Sequence, residues 1–392
     1  MRLLGSIVLS LFFAASICQA QGSSAELDVT LEAADGTTLK ASYFPAAKPG
    51  PGVLLLHQCN RQRRVWDALA QQLAAAGINV LTLDLRGFGE SGGEPQDKLP
   101  PDKAGQIATQ LWPGDIDVAF QYLVAQPGVT RDTIGVGGAS CSVNNSIQTA
   151  RRHPEVKSLV LMSGNTDLSG RRFLRNSSDV PIFFAVADDD EFKPTVDVIE
   201  WLYTLTPDRE KKLVHYSTGG HGADMFRVHP ELQELIVDWY VTTLIKTPGH
   251  APVPADAPAI PETVRNLDLI DQPGGPAMML QKLSGASKKD PKAILFREDM
   301  VNFLGYDHAQ SGDIKGAIEI MKLNVAAFPN SPNVYDSLSD VYLADGQKDL
   351  ARENAKKALE LLATDTTDDE QFRSGVKANA EQKLKQLGGP SK

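Results

Sequence analysis

Cysteine is scarce in this chain, with three among 392 residues, and none stands with histidine at a spacing that holds zinc. A Walker loop is absent, as is a G-x-G-x-x-G run opening a helix. No metal and no cofactor is therefore expected. Basic character is lacking too: 39 Lys and Arg face 49 Asp and Glu, a formal charge of −10. Nucleic acid and anionic membrane surfaces both need a basic face, so neither is an expected partner. After residue 20 no apolar run is long enough to cross a bilayer.

What is present suits a soluble globular chain, with 42% hydrophobic and 22% charged residues. At 392 residues, two or three domains are expected. Residues 1–20 read as a signal peptide. Arg2 supplies the positive start, Leu3 to Ile17 the apolar run, and Cys18-Gln19-Ala20 a small-residue end before Gln21. Cleavage near Ala20 predicts a secreted or periplasmic protein that is not held at a membrane. It leaves Cys59 and Cys141 as the remaining cysteines, in an oxidising compartment.

Residues 26–45 alternate polar and apolar around Asp35-Gly36, a hairpin signal. Gly52 to His57 is a continuous apolar run, as in a strand covered on both faces. Trp66, Leu69 and Leu73 recur at helical spacing until Gly77. Ile78–Leu83, Thr133–Val136, Leu159–Met162, Pro181–Val186 and Lys212–Tyr216 are strand-like, and Ile116–Val124 is helix-like. This alternation predicts an α/β fold with a mostly parallel, doubly wound sheet.

In such sheets, chemistry sits beyond the carboxyl ends of the strands. Gly138-Ala139-Ser140-Cys141-Ser142 follows one predicted strand and precedes a helix starting near Val143. Four of its five positions fit the G-x-S-x-G turn that thrusts a serine hydroxyl out of a strand-to-helix junction. Alone, that serine could equally cap the helix. Asp190, in Ala187-Asp188-Asp189-Asp190, follows the strand at 181–186, and His221, in Gly219-Gly220-His221-Gly222, follows the strand at 212–216. A serine needs an imidazole to take its proton, and the imidazole needs a carboxylate behind it. Ser140, His221 and Asp190 are the candidate catalytic group, with Asp189 as the alternative acid.

The chain order Ser, Asp, His is that of α/β-hydrolases. Residues 25–246 resemble that family, nearest its dienelactone-hydrolase-like and serine-esterase branches. His57-Gln58-Cys59 stands where the family has its oxyanion loop, and Asp84-Leu85-Arg86-Gly87-Phe88-Gly89-Glu90-Ser91 follows the next strand. The sequence departs from the family at Gln58, where His-Gly is usual, and at Ser142, where the motif has glycine. The resemblance implies a carboxylic-ester substrate of small-molecule size, lactones or acylated small molecules included. It places the oxyanion donors at Cys141 and at Cys59 or Gln58.

Two backbone donors meeting on one oxygen would bring Cys59 and Cys141 into disulfide range. Two buried free thiols are the alternative, and a third is Cys141 as nucleophile. His57 is expected to orient the oxyanion loop or to line the substrate site. Arg171, Arg172 and Arg175 either meet an anionic part of the substrate or form a solvated face. Loops 92–114 and 164–180 are expected to set substrate choice.

After Ile245 the character changes. Pro248, Pro252, Pro254, Pro258 and Pro261 mark a linker, with a connecting helix expected before residue 290. Over 291–390 a 34-residue period relates Leu304 to Leu338, Gly312 to Gly346 and Ala317 to Ala351, a spacing that resembles tetratricopeptide repeats. Such a module could bind a protein or peptide, mediate self-association or restrict the active-site entrance. A non-catalytic interaction protein and a peptidase on the same fold are the competing functions.

Overall fold

The computed structural model describes residues 26–176, 180–206, 211–251, 258–290, 292–364 and 369–388. The expected signal peptide and part of the Pro-rich linker lie outside these residues. Eight strands form one sheet: β1 (Leu27–Glu32), β2 (Thr38–Phe44), β3 (Gly50–Leu56), β4 (Asn79–Leu83), β5 (Val129–Ala139), β6 (Val156–Met162), β7 (Ile182–Ala187) and β8 (Lys211–Tyr216). Their spatial order is β1-β2-β4-β3-β5-β6-β7-β8. The β1–β2 hairpin turns at Asp35-Gly36, and β2 pairs with β4 antiparallel. All other pairings are parallel. This is the α/β-hydrolase fold, with a helical region after it.

Strand periodicity sorts the core into two layers. Leu54, Leu56, Val136, Leu161 and Phe184 face one side, with helices Trp112–Ala125, Cys141–Arg152 and Thr195–Leu205. Val53, Leu55, Val160, Phe183 and Ala185 face the other, under helices Asp67–Ala75 and Glu231–Tyr240. Both faces are covered, which is why β3 and β7 read as unbroken apolar runs. The chain leaves β3 for β4 on one side and returns to β5 on the other. That reversal opens a crevice at the carboxyl ends of β3 and β5, beside Gln58 and Ser140.

Residues 262–289 follow the Pro-rich linker. They form two helices, Glu262–Ile270 and Gly275–Lys289. Val264, Leu267 and Ile270 belong to the same apolar cluster as Val198, Trp201 and Leu202 of the sheet's covering helix. Two helix hairpins follow, Glu298–Gln310 with Ile314–Ala327 and Pro332–Ala344 with Lys348–Leu362, then a last helix, Glu370–Gln386. Helix starts recur 34 residues apart, from Glu298 to Pro332 and from Ile314 to Lys348. Tyr306 donates to Asp340 across that period at 2.8 Å. Met300, Val301 and Leu304 continue the hydrolase core into this region.

Candidate active site

β5 ends in a strained turn. Ser140 has φ 56° and ψ −123°, outside the regions that side-chain-bearing residues prefer. Such a conformation costs on the order of 1–3 kcal/mol and persists only where its surroundings enforce it. Its N–H donates to the Met162 carbonyl at 2.8 Å, tying the turn to β6. A Cβ on Gly138 would stand 2.2 Å from the Ser142 carbonyl oxygen, so the turn closes only over glycine there. Ser142 occupies the motif's other glycine position and is fully buried. Its hydroxyl donates to the His57 carbonyl at 2.7 Å. The departure at residue 142 is thus a tie between the turn and the loop after β3.

That loop is also held by its own side chains. His57 Nδ1 lies 2.8 Å from the Gln58 carbonyl, and His57 Nε2 accepts from the Leu85 N–H at 3.1 Å. A carbonyl can only accept and an N–H only donate, so the ring is neutral with its proton on Nδ1. Burial also lowers the basicity of His57. Both nitrogens are engaged, so His57 positions the loop and has none free for substrate. The Gln58 side chain accepts from the Ala223 N–H at 2.7 Å and donates to the His221 carbonyl at 3.3 Å. Gly222, at φ 58°, would place a Cβ 2.5 Å from Gln58 Oε1 and 3.2 Å from Ala139 Cβ. The His221 loop is therefore drawn against both the β3 loop and the strained turn.

Three consecutive aspartates do three different things. Asp188 Oδ1 lies 2.7 Å from His215 Nε2. Asp189 accepts the Gly220 N–H at 2.7 Å; bonds from Gly220 and then Gly219 hold its carboxyl below the usual range. Asp190 is buried and receives His221 Nδ1 at 2.9 and 2.8 Å on its two oxygens. The Phe192 N–H, 2.9 Å from Asp190 Oδ1, fixes that carboxylate. Nδ1–H donation leaves His221 Nε2 with its lone pair available. The Phe192 ring covers one side of the imidazole at 4.5 Å between centroids.

Cys59 and Cys141 are joined by a disulfide with 6.0 Å between their Cα atoms. Both cysteines line a cavity of about 930 Å³, together with Phe88, Trp112, Ala104 and Ala108. A cysteine in a disulfide has no thiolate, so in this state Cys141 is not a nucleophile.

The arginines lie elsewhere. Arg171 is fully buried, with bonds of 3.0 and 2.8 Å to Asp271, 2.6 Å to Asp307 and 2.9 Å to the Thr166 carbonyl. Arg175 binds Asp268 at 2.9 Å and also meets Asp271. Arg172 lines a separate cavity of about 460 Å³ beside Asp271 and His308. The expectation that Arg171, Arg172 and Arg175 meet substrate or form a solvated face is thus corrected for Arg171. A buried guanidinium needs its carboxylates close, and these come from the C-terminal helices. Burial of Asp271 is outweighed by the His308 hydrogen bond and the Arg171 charge, which hold its carboxyl down at about 2. The Ser142 tie, the Gln58 bridge and this ion cluster have no local sequence signal, because each joins residues 80 or more positions apart.

No protein-family model matches the chain. A thiohydrolase from Aspergillus aculeatus is 32% identical over 119 residues, 30% of this chain and 34% of the relative. An acyltransferase from Aspergillus calidoustus is 25% identical over 191 residues, 44% of this chain and 59% of the relative. The chain thus spans between a third and three fifths of the length of these curated relatives. An α/β hydrolase from Penicillium sp. sh18 superposes on 56% of this chain and 99% of its own, at 16% identity and a TM-score of 0.45. For an esterase from Pyrococcus furiosus the figures are 56%, 93%, 18% and 0.44.

Proposed function

We propose that this α/β-hydrolase-fold chain is a serine hydrolase that cleaves carboxylic esters, including lactones and acylated small molecules, through an acyl-enzyme. The observation that carries the proposal is the buried Asp190–His221 pair, bonded at 2.8 Å, on a loop whose Gly222 closes against Ala139, next to the serine held at φ 56°. In this scheme His221 Nε2 takes the Ser140 proton as Oγ attacks the ester carbonyl carbon. The carbonyl π bond opens to an oxyanion, received by the backbone N–H groups of Cys141 and of Cys59 or Gln58. Each such donor contributes about 3–4 kcal/mol in enzymes of this type. Collapse expels the alcohol, which takes the proton from His221, and leaves Ser140 acylated. Water then repeats the sequence and releases the acid. Asp190 keeps the proton on Nδ1 throughout and stabilises the transient imidazolium. The similarity to a thiohydrolase and an acyltransferase extends the candidate substrates to thioesters and the candidate acceptors beyond water.

The signal peptide read from residues 1–20 makes secretion to the periplasm or beyond part of the same proposal. Hydrolysis of short and long p-nitrophenyl esters by wild type and Ser140→Ala tests the activity. Turnover abolished by Ser140→Ala supports it; turnover retained in that variant, or absent from wild type across the series, contradicts it.

A further inference from the structure

The cavity at the Cys59–Cys141 disulfide draws no lining residue from the described part of 164–180, but several from 87–112. The reason is visible in the packing. Helix Leu168–Asn176 is pinned through Arg171 and Arg175 to Asp271, Asp307 and Asp268 of the C-terminal helices. The ion cluster takes that segment out of play, and the cavity wall falls to the other one.

Two sides of this wall differ in firmness. Phe88 and Trp112 stand 6.0 Å apart between ring centroids, and Phe88 meets the buried His57 ring edge-on at 5.0 Å. Trp112 donates its indole N–H to the Arg86 carbonyl at 3.3 Å, and Arg86 is clamped on Asp115 by two bonds of 2.8 Å. Helix Pro101–Gln110 also lines the cavity; none of its residues is fully buried, though Ile107 and Ala108 pack half-buried against the core. It turns Ala104, Gly105 and Ala108 toward the cavity, three small residues on one side of the helix. Three charged side chains also line the cavity: Asp97, and two guanidinium groups that the protein's own carboxylates already engage. Arg61 is bidentate on Asp224 at 2.9 and 2.8 Å, and Arg64 pairs with Glu26 at 3.4 Å. At about 930 Å³ the space is near the top of the usual 300–1,000 Å³ range for ligand pockets.

We infer that this cavity takes a bulky, uncharged ring system of the substrate between the aromatic wall of Phe88 and Trp112 and the small-residue face of helix Pro101–Gln110, and that Ala104 and Ala108 set its size limit. The inference rests on the hydrolase reading for its link to turnover, but not for binding. The ring can belong to the acyl part or to the alcohol part; both have the same chemistry.

The test compares wild type with Ala108→Phe, which fills the space, and with Gln106→Phe, on the opposite face of the same helix. Gln106 is exposed and Ala108 is half-buried at the edge of the core, so the Tm of both variants is compared with wild type alongside binding, and an unchanged Tm is expected. Methyl 2-naphthoate carries the ring on the acyl side and 2-naphthyl acetate on the alcohol side, with methyl acetate as the common reference. Ala108→Phe should lower the kcat/KM ratio of one naphthyl substrate to methyl acetate by about tenfold or more, and Gln106→Phe should not. The arm that falls identifies the side. Binding of the uncleavable ketone 2-acetonaphthone, followed by tryptophan quenching, gives a second readout that needs no catalysis. It should weaken in Ala108→Phe alone. Equal ketone binding by wild type and Ala108→Phe, or none by either, overturns the inference even if esters are cleaved. Ketone binding that weakens as expected, with no ester turned over, leaves the wall standing and removes the hydrolase reading.

Discussion

The Ser142 hydroxyl donates to the His57 carbonyl oxygen at 2.7 Å, with both residues fully buried. This one bond joins the first turn of the helix after Ser140 to the loop after β3, the two segments that carry the proposed oxyanion donors. Ser142→Ala leaves a buried carbonyl without its partner, at a cost of about 1–3 kcal/mol. Thermal unfolding should show a lower Tm, and ester turnover should fall with it. An unchanged Tm together with unchanged turnover would contradict the role given to this bond.

The Cys59–Cys141 disulfide closes a loop of 82 residues. Removing it through Cys59→Ala with Cys141→Ala should cost about 2–4 kcal/mol. Thiol titration of the denatured, unreduced chain beginning at Gln21 should find no reactive thiol. Two reactive thiols there would mean that the bond does not form in the protein.

Asp190 and Asp189 are neighbours with separable effects. Asp190→Asn removes the group that keeps the His221 proton on Nδ1, a change that lowers kcat by about 10⁴ in the Ser-His-Asp template. Asp189→Asn affects only the hold on Gly219 and Gly220, so its loss should be less than about tenfold. Pre-steady-state kinetics on one p-nitrophenyl ester measures both; equal losses would mean that the acid has been misassigned.

The Arg171 cluster predicts an acid-sensitive contribution to stability. The Asp271 carboxyl sits at about 2 against an ordinary value of 3.8. A lowered folded-state value stabilises above the unfolded value and is lost as pH falls, so the contribution is full above about pH 4 and disappears toward pH 2. Asp307 moves the other way, raised by burial despite Arg171. Asp271, with more partners and the deeper position, governs the trend. Denaturant unfolding from pH 5 to 2 should show a stability loss for wild type that is smaller in Asp271→Asn by about 2 kcal/mol. Parallel curves for the two proteins would rule out that contribution. Arg171→Met leaves the part-buried Asp307 without its guanidinium and the buried Asp271 with Arg175 and His308 alone, and should destabilise by about 3–5 kcal/mol.

Much of this architecture is legible in the chain. Apolar runs such as 52–57 and 181–186 announce strands because both faces of the sheet are covered. The proposed group of Ser140, Asp190 and His221 is legible because each follows a strand, at the sheet edge where parallel sheets bind their ligands. What local pattern does not carry is pairing across distance. Nothing around Arg171 reveals that its carboxylates lie 100 and 136 positions away, and a row of surface arginines has the same local appearance. Ser142 looks like a defect in a glycine motif until His57 is seen above it. The choice among three adjacent aspartates likewise depends on strand register, which composition does not set.

The most direct measurement is mass-spectrometric mapping of a fluorophosphonate adduct on wild type, Ser140→Ala and Cys141→Ala. The account predicts a single adduct on Ser140 in wild type and Cys141→Ala, and no adduct in Ser140→Ala. An adduct that persists in Ser140→Ala, or maps to another residue in wild type, would contradict it.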